Sequence, residues 1–578
     1  MSDFKSLALK HTESCFLNSL FREYQNYSYQ EMSIAVEVGE RGRLLIPLTK
    51  KSLLGRHEYQ GSFYLQNNNS LESINFAKAV DLLLDLLCGH WNEPPEKKET
   101  FLRRLQNSQQ NIETSLRQRS SDITELYSQP VSFLRAEQGL MIGHNFHPYP
   151  KMREGFDDQD FALYSPEMGG CFALRWFFVK PEVLHLEKAS AFKISQWTQV
   201  LFESEKAGVL PAGMLPLPVH PWQAQHLLKN AVVQDYIRSG ALVDAGLSSQ
   251  GSWYPTSSLR SVYSETSPYM LKFSLTVKLT NSIRHLTDVE VVRGLQVYDV
   301  MNTAQGKKFR QENPQFEIIF EPAFAALKDP SGGIISESIV VCRENPFLKN
   351  SEVSENIVVA TLAQDNPLGG ETLLWQQVVK LATDEGLSLP DASTKWFRAY
   401  LQVAMKPFIV AQSEYGVLLG AHQQNLILQI EKGLPIKAFF RDCQGTGYSE
   451  HGYQLFCQDV ASLNRENGNI LDNKGNILFA YYLLINSTWN VIAALAHPQG
   501  LGEADLLRML SEFLTGMSNP SLPDSSFLDY VLKQPRIYQK GNFICSLQNL
   551  NENTAANPLA IYNLIENPLA TIYRESVL

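Results

Sequence analysis

No CxxC pair, no long uninterrupted apolar run and no surplus of basic charge occurs in this chain of 578 residues. Each absence excludes something. Seven cysteines (Cys15, Cys88, Cys171, Cys342, Cys443, Cys457, Cys545) are scattered and odd in number. A zinc site, an iron–sulfur cluster and a disulfide framework are therefore not expected, and the pattern is that of a reduced cytosolic chain. Fifty Lys and Arg against 60 Asp and Glu leave a net charge of −10, which argues against nucleic acid as a partner, since phosphate backbones select basic faces. Residues 477–496 are uncharged, but Asn486, Ser487, Thr488 and Asn490 interrupt them, so a buried helix is expected rather than a membrane span. The first residues, MSDFKSLALKHTESCF, hold no apolar secretion core, and a cytoplasmic protein is expected. P-loop, GxGxxG, HExxH and GxSxG patterns are also missing.

What is present is an ordinary globular composition, 44% hydrophobic and 19% charged, long enough for about two to four domains. Residues 1–125 read as mostly helical with one short strand-like run near Arg43–Leu48; Leu71, Ile74, Val80–Leu84, Leu86 and Leu87 recur at helical spacing. A polar stretch from Asn92 to Asp122 reads as an exposed helix and linker. Residues 126–345, richer in aromatic and β-branched runs punctuated by Pro and Gly, read as sheet. Residues 346–578 read as helices around one hairpin, so the fold class is α+β.

Three segments carry chemistry. The run GHNFHPYPKMREGF (143–156) packs His144, His147, Lys151 and Arg153 between two glycines, with Pro148 and Pro150 denying it a helix. It suits an anion; a solvated loop is the plainer alternative. His144-x-x-His147 lacks cysteine partners, which disfavours zinc. Leu271–Thr280 alternates without a break, Lys272, Ser274, Thr276, Lys278 and Thr280 sharing one face; Ser258, Arg260 and Arg284 lie nearby in sequence. That face could be merely solvated, but the added cations point to phosphate or carboxylate. In HQQNLILQIEKGLPIKAFFRDCQG (422–445), two apolar runs flank a Gly-containing turn, so a hairpin brings Asn425 near Asp442, with His422 and Arg441 beside them. An amide oxygen beside a carboxylate suits Mg²⁺.

Together these segments resemble the NRPS-independent siderophore (NIS) synthetases, the IucA/IucC or aerobactin-synthetase family. The GHPxHPxxKxRxGF pattern appears at Gly143–Phe156 with Asn145 in the proline position; Tyr164-Ser165-Pro166-Glu167 resembles YxPE. Val219–Gln223 resembles HPWQ; Ser258/Arg260, Lys272 and Thr280/Asn281/Ser282/Arg284 match S-x-R…LKL…T-x-x-x-R. Arg343–Pro346, His422/Gln424/Asn425, Arg441/Asp442 and Asn557–Leu559 complete the order. One departure stands out: Gly420 occupies a position where the family usually has Glu.

The resemblance implies a cupped hand: a thumb over 1–125, β-rich fingers over 126–345 and a largely helical palm over 346–578. It implies an adenylate-forming ligase that uses ATP and Mg²⁺ to condense a carboxylate, typically citrate or a derivative, with an amine or alcohol, and often a homodimer. Carried onto this chain, Ser258, Arg260, Lys272, Asn281 and Arg284, with His144 and His147, would hold the nucleotide. Lys151, Arg284 and His422 would meet the carboxylate, Asn425 and Asp442 the metal, and His147, Lys272, Arg284 and His422 would be catalytic. Two rivals share parts of this pattern. A small-molecule kinase has the same Asn/Asp pair but places an Asp base after its His, where Gln423 and Gln424 stand here. A non-enzymatic siderophore-binding protein, or a reductase, would call for C-terminal cysteines beyond Cys545.

Overall fold

The computed structural model describes residues 3–67, 70–248, 251–279, 282–348, 354–466, 468–472, 474–550 and 558–577. Thr280, Asn281 and Asn557 lie outside the described residues.

The N-terminal region opens with helix Phe4–Glu23, started by the Asp3 side chain accepting from the Lys5 amide. It then forms more sheet than the sequence pattern indicated. Strands run in the order Ser28–Gln30, Ser33–Glu37, Arg43–Lys50, Phe63–Asn67 and Ser70–Ile74, with Glu58–Tyr59 pairing the third. Arg43–Lys50 shows the period of two in its burial: Leu44, Ile46 and Leu48 face inward, each worth about 1.5–3 kcal/mol relative to exposure. Leu71 and Ile74, taken for helix, belong to a strand whose Leu71 is exposed; the helical periodicity starts only at Phe76, in helix Phe76–Trp91. The other strands are two to five residues long, too short for alternation to register.

Helix Pro95–Gln118 occupies the polar stretch, yet it is no linker. Phe101, Leu105, Ile112 and Leu116 form a buried stripe, and its polar residues turn out to hold the 143–156 loop. The N-terminal core is closed from outside by Tyr149, Met152, Phe543 and Leu547, so the C-terminal helix Asn542–Gln548 packs on the start of the chain.

The middle of the chain builds a six-stranded antiparallel sheet in the order Tyr254–Pro255, Ser261–Tyr263, Tyr269–Phe273, Val340–Glu344, Ala323–Leu327, Leu184–Lys188. The strand expected over Leu271–Thr280 is interrupted at Ser274. Tyr269–Phe273 stays in the large sheet, while Leu275–Leu279 pairs with Ser282–Arg284 and Arg153–Glu154 in another. Alternation continues across the break because Ser274 uses its own amide and hydroxyl to bridge it, bonding Ile339 O and Ser336 O.

The C-terminal region wraps helices around a four-stranded sheet of Phe316–Ile318, Leu434–Phe440, Leu426–Glu431 and Glu355–Val358. Its core also takes Leu126–Leu140 and Val297–Phe320, so core membership crosses the boundaries expected near 125 and 345. Apolar periodicity predicts helices near Leu373–Ala382 and Trp396–Gln412; the structure has Leu373–Glu385, then Leu389–Tyr400 running through the π-helical Leu401–Met405 into Lys406–Ser413. Lys474–Leu495 is long and apolar enough to cross a membrane by length and composition, but most of it is buried inside the protein. Its middle, Ala480–Thr488, is π-helical, a local widening that recurs at functional sites.

Candidate functional site

The hairpin forms with Leu426 opposite Phe440, and the Arg441 amide donates to Asn425 O at 3.0 Å. Asn425 thus faces Arg441, and Asp442 follows one residue further, at φ +76°, a left-handed conformation that turns its carboxylate out of the ladder. The Asn425 amide nitrogen donates to Gly420 O at 3.4 Å, which leaves its oxygen for another partner.

Asp442 is hydrogen-bonded to Lys272, which comes from the central strand of the large sheet. Lys272 also donates to Gln444 Oε1 at 2.8 Å and lies 3.5 Å from Glu321. Glu321 in turn receives Arg343 at 2.6 and 3.0 Å. Register explains the meeting: Lys272 lies opposite both Ser261 and Val341, and Arg343 is two residues from Val341, on the same face. Lys272, Glu321 and Arg343 are 1–2% exposed, Asp442 28%. Burial alone would discharge Asp442, but Lys272, Arg343 and Arg260 hold it well below the usual carboxylate range. Burial pulls Lys272 below its ordinary value, against Asp442 and Glu321. Removing charges from water costs several kcal/mol per ion, and here Lys272 and Arg343 each lie beside a carboxylate that offsets it.

Ser258 and Arg260 sit on a strained turn. Leu259 between them has φ +68° while 1% exposed, a conformation that bulky residues rarely adopt outside overdetermined sites. The turn is clamped from both sides: Glu137 accepts from the Ser257 amide at 2.8 Å and pairs with Arg441 at 2.7 Å. Arg441 reaches Ser257 Oγ at 3.3 Å. Arg260 approaches Arg284 O at 3.4 Å, which brings the two sequence-predicted arginines together. Lys278 diverges, bonding Asn549 at 2.7 Å.

The 143–156 loop is not an open anion flap. Asn107, Ser108 and Asn111 of helix Pro95–Gln118 bond the backbone of Arg153, Lys151 N and Lys151 O. Lys151, expected to close over substrate, is 3% exposed; it donates to Leu140 O and pairs with Glu167 at 3.3 Å. Arg153 meets the same Glu167 at 2.6 Å. An ammonium this buried needs an internal counter-charge, and burial lowers it to about 8 even so. In this structure its partner is Glu167, the Glu of the YSPE element. His147 is also buried, accepting the Tyr149 amide on Nδ1 and lying 3.5 Å from Ser546 through Nε2. Asn145, oriented with its oxygen toward Arg56, accepts two bonds at 3.2 Å.

His144 lines a small cavity with Phe146, Arg22, Glu23, Tyr481, Asn486 and Lys540. Burial, helped by Arg22, His422 and Lys540, lowers His144 to about 3. Burial lowers His422 to about 4, against Asp442. Both rings are therefore neutral near pH 7. The π-helical segment sets them: Asn486 Nδ2 lies 2.7 Å from His144 Nε2 and Asn486 Oδ1 accepts the Gln423 amide at 3.1 Å. Ser487 donates to Ala421 O at 2.5 Å.

Similarity now adds to this geometry. The model of the IucA / IucC family matches residues 132–364, and that of the FhuF-like ferric iron reductase transporters matches 394–555. The N(2)-citryl-N(6)-acetyl-N(6)-hydroxylysine synthase of Vibrio mimicus is 37% identical over 97% of this chain and 95% of its own. The chain belongs to the IucA/IucC family. The spermidine-citrate ligase of Bacillus anthracis is 33% identical over 90% of this chain and 87% of its own. ATP-bound aerobactin synthetase IucA of Klebsiella pneumoniae superposes with a TM-score of 0.89 at 31% identity, covering 97% of this chain and 99% of that one.

This member of the IucA/IucC family, an ATP-using ligase of siderophore biosynthesis with an α+β fold, departs from the pattern at Gly420. A Cβ built there would have only ordinary contacts, 3.8 Å to Gly445 O and 3.9 Å to Tyr482, so the missing side chain leaves space. All seven cysteines are free, and among the described residues no cluster of three or more His, Cys, Asp or Glu could hold a metal. Glu137, Glu321, Asn486, Arg22 and Lys540 were not singled out from the sequence. None of them belongs to a motif, and only folding brings them to the others.

Proposed function

We propose that this synthetase activates a carboxylate of citrate or a citrate derivative with ATP, forming an acyl-adenylate and pyrophosphate, and then transfers the acyl group to an amine. The observation that carries this reading is the buried cluster in which Lys272 from one sheet meets Asp442 from the hairpin, with Arg260 and Arg343 around them. Citrate is supported by the relatives, whose printed activities join it to an amine.

A carboxylate attacking the α-phosphate brings two anions together. Fixed cations must offset that repulsion and stabilise charge on the phosphoryl oxygens. Ser258, Arg260, Lys272 and Arg284 take the phosphates in this reading. His422, neutral and bordered by Asp442, Arg441, Lys540 and Arg284, donates to the reacting carboxylate without adding a competing charge. His144 marks the far end of that site, and His147 with Lys151 shapes the wall. Asn425 and Asp442, an amide oxygen and a strongly ionised carboxylate, fit Mg²⁺, which binds through few protein oxygens and the substrate phosphates. When bound, that ion supplies charge neutralisation at the phosphates. Holding both substrates in register can contribute about 7–11 kcal/mol.

The test is a pyrophosphate-release screen of carboxylates and amines with mass spectrometry of the products. AMP and an amide are expected. ADP with a phosphorylated product would replace this reading with a kinase, and ATP binding without turnover of any pair would leave a binding protein.

A further inference from the structure

Glu137 has no exposed surface, so a substrate in the cleft does not touch it. Yet it joins three segments that carry site residues. Its Oε2 accepts the Ser257 amide at 2.8 Å, one residue before Ser258. Its Oε1 lies 2.7 Å from Nη1 of Arg441, one residue before Asp442. The same guanidinium, 2% exposed, donates to Gln424 O from Nη2 at 2.8 Å and from Nε at 3.2 Å, and from Nη2 to Ser257 Oγ at 3.3 Å. Gln424 stands between His422 and Asn425 in the chain. One buried ion pair therefore holds the Ser258–Arg260 turn, the His422–Asn425 loop and the end of the hairpin.

The mount of this carboxylate is itself fixed. Glu137 belongs to helix Phe133–Gln138, and the backbone around it is gripped by buried side chains. Thr361 Oγ1 donates to Ala136 O at 2.7 Å and Gln364 Nε2 to Gly139 O at 2.6 Å. Gln138 Nε2 donates to Gly170 O at 2.8 Å. Thr361 is 0% exposed and Gln364 1%.

The turn that Glu137 grips needs such a hold. Leu259, left-handed at φ +68°, keeps a conformation that persists only where its surroundings overdetermine it. Within the turn, Thr256 Oγ1 donates to Ser261 O at 2.9 Å and Ser258 Oγ accepts the Ser261 amide at 3.2 Å. These bonds close the turn on itself without aiming it. Two outer ties aim it. The Phe273 amide donates to Arg260 O at 2.9 Å, next to Lys272 in the large sheet, and Glu137 with Arg441 ties Ser257 to the hairpin. Loss of the second tie frees the start of the turn while the sheet stays intact.

We propose that Glu137 is a positioning residue for the nucleotide phosphates: through Ser257 and Arg441 it fixes the Ser258–Arg260 turn against the hairpin that carries Asn425 and Asp442. The inference rests on the reading above, in which Ser258 and Arg260 take the phosphates, and adds the buried group that sets their register.

Citrate-dependent ATP–pyrophosphate exchange, measured beside urea unfolding of the same proteins, tests it. Glu137→Leu should lower the maximal exchange rate about 10²-fold, the cost of a misplacement near 1 Å, with the citrate KM unchanged. The ATP KM should rise about 10-fold, the scale of one weakened charge-assisted hydrogen bond. Glu137→Gln keeps an oxygen for the Ser257 amide and should recover part of both losses. Because Glu137→Leu leaves Arg441 buried without its carboxylate, the double variant Glu137→Leu/Arg441→Met is measured too; an apolar pair in place of a buried ion pair is often neutral for stability. It should unfold near the wild-type midpoint and still exchange slowly. Wild-type rate and ATP KM in both Glu137→Gln and the double variant overturn the proposal, as does a rate loss that only matches the unfolded fraction. A raised citrate KM with the ATP KM unchanged also overturns it, assigning Glu137 to the carboxylate side through Gln424. Arg260→Met checks the underlying reading: wild-type exchange in that variant removes the phosphate assignment, and this inference with it.

Discussion

Lys272 and Asp442, 170 residues apart, form a hydrogen-bonded ion pair that joins the large sheet to the end of the hairpin. The pair brings together the half of the site rich in cations and the half that offers oxygen ligands. It also keeps Lys272 charged where burial alone would favour the neutral amine.

Lys272→Ala and Arg284→Ala should each lower citrate-dependent pyrophosphate exchange by about 10²–10³, the cost of one lost transition-state donor. Wild-type exchange in either variant would remove that residue from the phosphate site.

Lys151→Met should act on stability rather than on substrate affinity. It leaves Glu167 with Arg153 alone in a buried position, so urea unfolding should show a loss of up to about 3–5 kcal/mol with the citrate KM unchanged. Wild-type stability with a raised KM would return Lys151 to the substrate.

His220 supplies a pH test with a definite sign. Its Nδ1 accepts the Trp222 amide at 3.2 Å, its Nε2 has no partner among the described residues, and its ring packs against Tyr164, Phe172 and Phe273. Burial lowers it from an ordinary 6.5 to about 3. Its contribution to stability is full above pH 6.5 and is lost as pH falls from there toward 3, because only the unfolded chain takes up the proton. His220→Asn keeps the helix cap but not the titration. The stability gap between wild type and variant should narrow by about 1.4 kcal/mol per pH unit below 6.5; a gap constant from pH 7.5 to 5 would refute the buried neutral ring.

Gly420→Glu should fold, since its Cβ has room, and should lower the Mg²⁺ concentration needed for half-maximal exchange by adding a carboxylate near Asn425. An unchanged Mg²⁺ dependence would place residue 420 outside the metal's reach.

The hairpin was legible because apolar alternation and a Gly-containing turn fix its register, so Asn425 and Asp442 came out as near neighbours from spacing alone. The Ser258–Arg260 and Lys272 segments were legible for the same local reason. The break at Ser274 was not, because the alternation carries on through a residue that changes sheets. Nor was most of the N-terminal sheet, whose strands other than Arg43–Lys50 are too short to alternate.

What the sequence by itself determined was the family and the α+β class, since order and spacing of motifs survive without a fold. Tertiary structure alone decided which charges are spent internally and which face a cavity. Lys151 and His144 stand seven residues apart in one motif, yet Glu167 neutralises the first and Asn486 turns the second into the cleft. Arg22, Glu23 and Lys540 share a cavity only because the first helix docks on the last strands. Burial and counter-charge depend on neighbours distant in sequence, and no local pattern encodes them.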